Sequence, residues 1–182
     1  MAGPSLLTAR TNGTISDMTL VSGFPKQGNV IWQGFGGPCE QYNDGDPIVQ
    51  YDQLADRWIL TQFAVSASPY TQCIAVSTSG DPTGTFYRYS YSYGTDFNDY
   101  PKMGVWPDGY YITYNIFRRG RTFSGNKVCA FERDKMLVGA AARRRRAQSE
   151  STRLRLSRKE FVRRWRGLQA CLCFVARLWL VE

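Results

Sequence analysis

Three carboxylates stand where glycoside chemistry could use them: Asp46, Asp99 and Glu132. Cleaving a glycosidic bond needs a general acid and a second carboxylate, as base or nucleophile, at a defined separation. A structural role competes with that one. Asp46 precedes Pro47 and Asp99 lies just before Pro101, places where Asp commonly starts turns and strands. Glu132, between Phe131 and Arg133, reads as part of an exposed strand. A second candidate is aromatic. Tyr87, Tyr89, Tyr91 and Tyr93 alternate with Arg88, Ser90 and Ser92. A period of two puts all four rings on one face of a strand. Such a ladder could stack on sugars, each ring giving an apolar body with a polar tip. Ordinary packing between blades is the favoured reading.

The 182 residues include no histidine. A Ser-His-Asp triad, a Cys-His pair and a His-ligated metal are therefore excluded within this chain. The five cysteines, Cys39, Cys73, Cys129, Cys171 and Cys173, lack the two close pairs of a zinc site. No metal and no cofactor is expected. A Cys39–Cys73 disulfide is one possibility in an oxidising compartment, although spacing does not fix the pairing. Cys171 and Cys173 read as thiols of an apolar stretch.

Charge divides the chain near Ala140. Residues 1–138 carry 11 Lys+Arg against 12 Asp+Glu, whereas residues 139–182 carry 12 against 3. The net charge of +8 therefore belongs to the C-terminal stretch. That stretch opens with Arg143, Arg144, Arg145 and Arg146 and contains no tyrosine. Exposed arginines in such a run bind phosphate backbones nonspecifically. Ser151–Glu182 reads as a helix, basic first and apolar later, suited to an anionic membrane surface. Leu168–Val181 is too short to span a bilayer. A competing explanation is an unselected sequence, such as an out-of-frame reading of GC-rich coding DNA, which is rich in Arg and Ala.

These residues must be positioned by strands. From Asn29 to Arg133 the chain reads as short strands: Val30–Phe35, Pro47–Tyr51, Arg57–Val65, Thr71–Ser77, Thr85–Tyr91, Lys102–Trp106, Tyr110–Phe117 and Lys127–Glu132. Between them lie turn-forming clusters such as Asn43–Asp46, Asp52–Asp56, Ser79–Gly84, Asp96–Tyr100 and Pro107–Gly109. No sustained helical period interrupts them. Evenly spaced short strands indicate a meander, sandwich or propeller. A loose internal repeat favours the propeller. Pro47–Tyr51 leading to Arg57–Thr61 matches Pro101–Val105 leading to Tyr110–Thr113, and Gln72–Val76 matches Val128–Phe131. Pro47 and Pro101 are 54 residues apart, slightly beyond the about 40–50 of blade-type repeats. The first unit has four strands. The second has three, and its fourth is expected where the arginine run begins.

The strings Gly28–Cys39, Asn43–Trp58, Gln72–Gly84, Asp99–Asp108 and Ala130–Leu137 resemble a group of bacterial secreted β-propeller-type proteins of unassigned chemistry, distantly sialidase-like. The resemblance covers residues 28–142. It is poor before Gly28, and it ends at the arginines, where similar proteins continue with an apolar strand. It implies a propeller fold, an extracellular or cell-surface setting for full-length relatives, and no catalytic residue to carry over. Ser79-Gly-Asp81-Pro-Thr-Gly84-Thr-Phe86 is similar to the Asp-box of sialidase-like propellers, with Gly84 one residue late. That box is a structural turn.

The expected architecture is all-β. It comprises a poorly defined segment 1–27, an about two-blade partial propeller of antiparallel meanders over 28–138, and a basic, helix-prone tail over 139–182 foreign to the fold. On this reading the second blade is cut short, and open edges invite aggregation. The first functional expectation is a non-catalytic surface module contacting carbohydrate or a cell-surface protein. The alternatives are a glycosidase or sialidase-like remnant, and a nucleic-acid or anionic-membrane binder acting through the tail. The N-terminus shows no apolar core of export-signal length.

Overall fold

A computed structural model describes residues 5–6 and 26–149. Strands β1 (Ser5–Leu6) and β2 (Lys26–Gln27) pair antiparallel. A 3-10 turn (Gly28–Trp32) and helix α1 (Gly37–Gln41) follow. Then come β3 (Gly45–Asp52), β4 (Arg57–Ala64), β5 (Tyr70–Ser77) and β6 (Phe86–Gly94). The second half holds β7 (Phe97–Trp106), β8 (Gly109–Arg118), β9 (Thr122–Phe131), helix α2 (Arg133–Met136) and β10 (Arg144–Ser149). Two four-stranded antiparallel meanders result, β3-β4-β5-β6 and β7-β8-β9-β10. The fold is all-β, and the sheets do not close on one another.

The turn residues act as expected. Asp44 accepts the backbone N–H groups of Val65 and Ser66, and the Asp52 Oδ1 accepts that of Ala55. The two-residue link Pro107-Asp108 joins β7 to β8. Each sheet carries a bulge at its first strand. Gly45 and Ile48 oppose Phe63 and Thr61, whereas Asp99 and Lys102 oppose Asn115 and Thr113. Asp46-Pro47 and Tyr100-Pro101 are the segments that bulge out. Asp46 and Tyr100 adopt positive φ there, 45° and 51°. The Pro-to-Pro repeat is thus the repeat of a bulge, where a residue without a ladder N–H is tolerated.

From that anchor the registers align rung by rung. Ile48–Thr61–Ile74–Tyr89 in the first sheet corresponds to Lys102–Thr113–Val128–Ala147 in the second. One expected match shifts. Cys73 corresponds to Lys127, and Cys129 to Ala75, so the two cysteines are not equivalent. A slip of two residues preserves the inward and outward faces, which is why the sequence pattern did not reveal it.

Three strand expectations are corrected. Val30–Phe35 is not a strand. Gly34, Gly36 and Gly37 take positive φ, and the Glu40 carboxylate gathers the N–H groups of Gly34 and Gly36 at 2.8 and 2.7 Å. Asp96–Tyr100 is not a separator, because β7 already begins at Phe97. The second sheet also has its fourth strand. The arginine run forms it, with Arg144 opposite Phe131 and Arg146 opposite Cys129. Ladder bonds use the backbone, so arginines can pair at an edge while their heads reach solvent, and a charged edge discourages further pairing. The expected helix at 151–182, Cys171, Cys173 and nearly all of segment 1–27 lie outside the described residues.

The core lies between the sheets. Ile59, Ile74, Val76 and Tyr93 of the first meet Tyr110, Ile112, Tyr114, Ile116, Cys129 and Phe131 of the second, with Met136 at the end. Burying each such aliphatic side chain contributes about 1.5–3 kcal/mol. The opposite face of the first sheet is also covered. Leu60, Ala64, Cys73 and Ala75 pack under Trp32 and Cys39.

Candidate functional site

The three candidate carboxylates do not converge. Asp46 and Asp99 flank the corresponding bulges of β3 and β7, strands that lie side by side, with Gln50 Nε2 donating to the Met103 carbonyl at 2.8 Å. Burial pushes the Asp46 carboxyl above its ordinary value, the Asp99 charge adds to this, and Lys102 opposes it. Glu132 is committed elsewhere. Its Oε1 accepts Arg143 Nε and a terminal guanidinium N–H at 3.0 and 2.8 Å, and its Oε2 accepts the Arg143 backbone N–H at 2.9 Å. Those bonds hold its carboxyl below the ordinary range. It precedes α2 rather than lying in a strand.

The tyrosine ladder packs between the sheets. The Tyr89 hydroxyl donates to the carbonyls of Met136 and Ala140, and that of Tyr91 to Ala142. Tyr91 meets Phe131 edge-on at 4.8 Å, and Tyr93 meets Tyr114 at 5.1 Å. Gly139 passes so close to Tyr87 that an added Cβ would lie 2.5 Å from the ring. The rings therefore clamp the α2–β10 connection instead of offering a stacking surface to sugar.

Cys39 and Cys73 are bonded to each other, fastening α1 to the middle of β5. Arg88 assists at the margin, donating to the Gln33 carbonyl at 2.7 Å and lying over the Phe35 ring at 5.4 Å. In the Asp-box-like turn, Asp81 Oδ1 accepts the Thr83 N–H at 2.9 Å and its hydroxyl at 2.7 Å, while the Trp58 indole N–H donates to the Gly80 carbonyl at 3.0 Å. Asp81 performs turn duty.

A polar cluster absent from the sequence reading joins the sheets. Asp52 is fully buried. Arg133 donates to both its oxygens, from Nε at 2.6 Å and a terminal N–H at 3.0 Å, and the Tyr110 hydroxyl donates at 2.9 Å. Burial pushes the Asp52 carboxyl up, but these bonds and the Arg133 charge outweigh it and leave it below the ordinary range. Asp52 looked only like a turn starter, and nothing near it in sequence announces a partner 81 residues away.

The arginines divide by role. Arg143 is paired with Glu132. Arg144 lies 4.2 Å from the Tyr93 ring centroid and donates to the Ser92 carbonyl at 2.8 Å. Arg145 and Arg146 are exposed. Among the described residues, the outer face of the second sheet is partly open. Register places Trp106, Tyr111, Thr113, Val128 and Ala130 there, with Tyr111 only 5% exposed. Trp106 is 44% exposed, whereas Phe117 and Phe123 form a chain of rings with Phe97, which meets Phe63 and Tyr70 of the first sheet.

Among the described residues no group of three metal-ligating side chains occurs, and no helix is long and apolar enough to cross a membrane. No family model, curated protein or solved structure matches the chain.

Proposed function

We propose that this chain carries a non-catalytic interaction module of propeller type, two stacked blades whose open face takes a further four-stranded sheet. One observation carries the reading. The outer face of the second sheet corresponds in register to the face by which the first sheet buries the second, with Thr113 and Val128 standing where Thr61 and Ile74 stand, although Lys102 and Asn115 stand where Ile48 and Phe63 do. The occupant it suits is another sheet with an aromatic and aliphatic face like that of Tyr110, Ile112 and Phe131. The disulfide favours an oxidising, extracellular setting. A photo-reactive residue at Thr113 tests the reading, since it should cross-link a partner sheet, whereas one at exposed Ser90 on the opposite side should not. Equal labelling from both positions would count against it.

A specific observation supports an enzymatic second reading. A carboxyl raised beside a second carboxylate, as Asp46 is beside Asp99, is the arrangement a general acid uses. Turnover of a panel of aryl glycosides, lost in Asp46→Asn or Asp99→Asn, would establish it, and absence of turnover would remove it. A third reading, nucleic-acid or anionic-membrane binding through the basic stretch, rests on the exposed Arg145 and Arg146. Deleting residues 139–182 should abolish salt-sensitive binding to DNA or anionic vesicles. Survival of that binding would exclude it.

A further inference from the structure

We propose that the cationic cluster where β6, β9 and β10 meet is a binding site for one tetrahedral oxyanion of the sulfate or phosphate class. It is independent of the sheet-docking surface, because it lies on the inward side of the second sheet. The argument begins with Lys127. This lysine is only 5% exposed, and it points toward the first sheet from the middle of β9. Its ammonium lies 5.4 Å from the Tyr93 ring centroid. Arg144, from the neighbouring strand, places its guanidinium 4.2 Å from that same centroid. Two cations thus share one aromatic ring, itself buried.

Neither has a counter-charge of its own. The ion pairs among the described residues are Arg133–Asp52 and Arg143–Glu132. Arg144 spends one terminal nitrogen on the Ser92 carbonyl, and its other, NH1, is buried without a partner. Cation–π attraction contributes only about 0.5–2 kcal/mol per contact, and a buried unpaired charge costs more than that. Arg146 lies on the same face of β10, opposite Cys129, and is exposed. It marks the entrance. Burial lowers the Lys127 ammonium below its ordinary value; Cys129 and then Asp96 favour its protonated form, and Arg146 and Arg144 disfavour it. Asp96 does not reach ion-pair distance of any of the three.

An oxyanion fits this arrangement chemically. It accepts several hydrogen bonds at once, from the free Arg144 nitrogen, the lysine ammonium and Arg146. It also removes the repulsion between cations that converge on Tyr93. Charge-assisted bonds of this kind are about twice as strong as neutral ones.

The test uses the full chain and inorganic sulfate, inorganic phosphate and galactose 6-sulfate, each titrated against sodium chloride at constant ionic strength. The melting temperature should rise and saturate at millimolar sulfate or phosphate, as site binding requires. That saturating rise should vanish in Lys127→Met and in Arg144→Gln. A matching response to galactose 6-sulfate indicates that an ester-linked group is admitted, and its absence indicates a site for the free ion. Lys127→Met should also melt higher than the parent in chloride alone, because a cation that lacks a counter-charge and faces Arg144 and Arg146 has been removed. If either variant fails to fold, the ¹³C resonance of the Lys127 ε-methylene in the parent chain decides. Its titration midpoint should move upward when sulfate is added. A linear, non-saturating rise common to parent and variants, or an unmoved Lys127 titration, overturns the proposal.

Discussion

Arg133 grips Asp52 with two hydrogen bonds across 81 residues of chain, and Tyr110 supplies a third bond to the same carboxylate. The β3–β4 turn of the first sheet is thereby tied to the helix that follows the third strand of the second. Removing one partner of a buried pair leaves the other uncompensated, at a typical cost of about 3–5 kcal/mol. Arg133 keeps 13% of its side chain exposed and can partly hydrate. Asp52→Asn should therefore lie at the low end, about 3 kcal/mol in urea unfolding. The Asp52 carboxyl is depressed in the folded state, so its stabilisation is complete above its unfolded value of about 3.9. It is lost as pH falls through the lower folded value. Unfolding free energy should fall with acid more steeply in the parent than in Asp52→Asn.

The Cys39–Cys73 bond closes a loop of 34 residues. The chain-entropy relation assigns such a loop about 3–4 kcal/mol. A Cys39→Ala, Cys73→Ala double variant should lose about that much. Its first local consequence should be release of residues 28–41 from the first sheet, seen as a red shift of Trp32 fluorescence and faster proteolysis there. Trp32 is buried in the intact chain. Proteolysis that begins instead in the second sheet would contradict this account of what the bond holds.

Asp46 offers a test with the opposite sign. Its folded-state carboxyl is raised, by burial first and by Asp99 second, so ionising it weakens the fold. That weakening sets in as pH rises through the unfolded value and is complete above the folded one. Asp46→Asn should melt above the parent at pH 7 and level with it at pH 3. Asn also tolerates the positive φ of this position. A lower melting temperature at pH 7 would show that the carboxylate performs a bonding role.

Gly139 has φ of 71° and no room for a side chain beside Tyr87. Gly139→Ala should therefore strain the backbone and displace the ring, at about 1–3 kcal/mol. The damage should spread along the Tyr89 and Tyr91 hydroxyl bonds to the α2–β10 connection, loosening β10 first. Amide exchange at Arg144–Ser149 measures this, and those amides should exchange faster in the variant while β4 and β5 keep their protection.

Strand positions were legible where turn residues fixed them, as at Asn43–Asp46 and Pro107–Gly109. The Pro47 and Pro101 repeat was visible because proline in a strand needs a bulge, and two equal bulges leave the same mark. The arginine strand was hidden. Side-chain charge dominates its composition, whereas its pairing with β9 is made by backbone. Val30–Phe35 reads as a strand because Val30, Ile31 and Trp32 suit one, and the Glu40 bonds that curl the segment are formed from beyond it. Asp52 and Arg133 each satisfied a local explanation, so their meeting had no sequence signature. The tyrosine ladder was readable as a face, but what the face meets depended on how the sheets stack.

Sedimentation velocity of the full chain over a concentration series tests the central claim most directly. In the purified chain a second copy can supply the sheet that this face is proposed to take. The account predicts concentration-dependent association that is lost in Val128→Lys, with an unchanged melting temperature at concentrations where the parent is monomeric. A chain that stays monomeric throughout, or one whose association survives Val128→Lys, would contradict it.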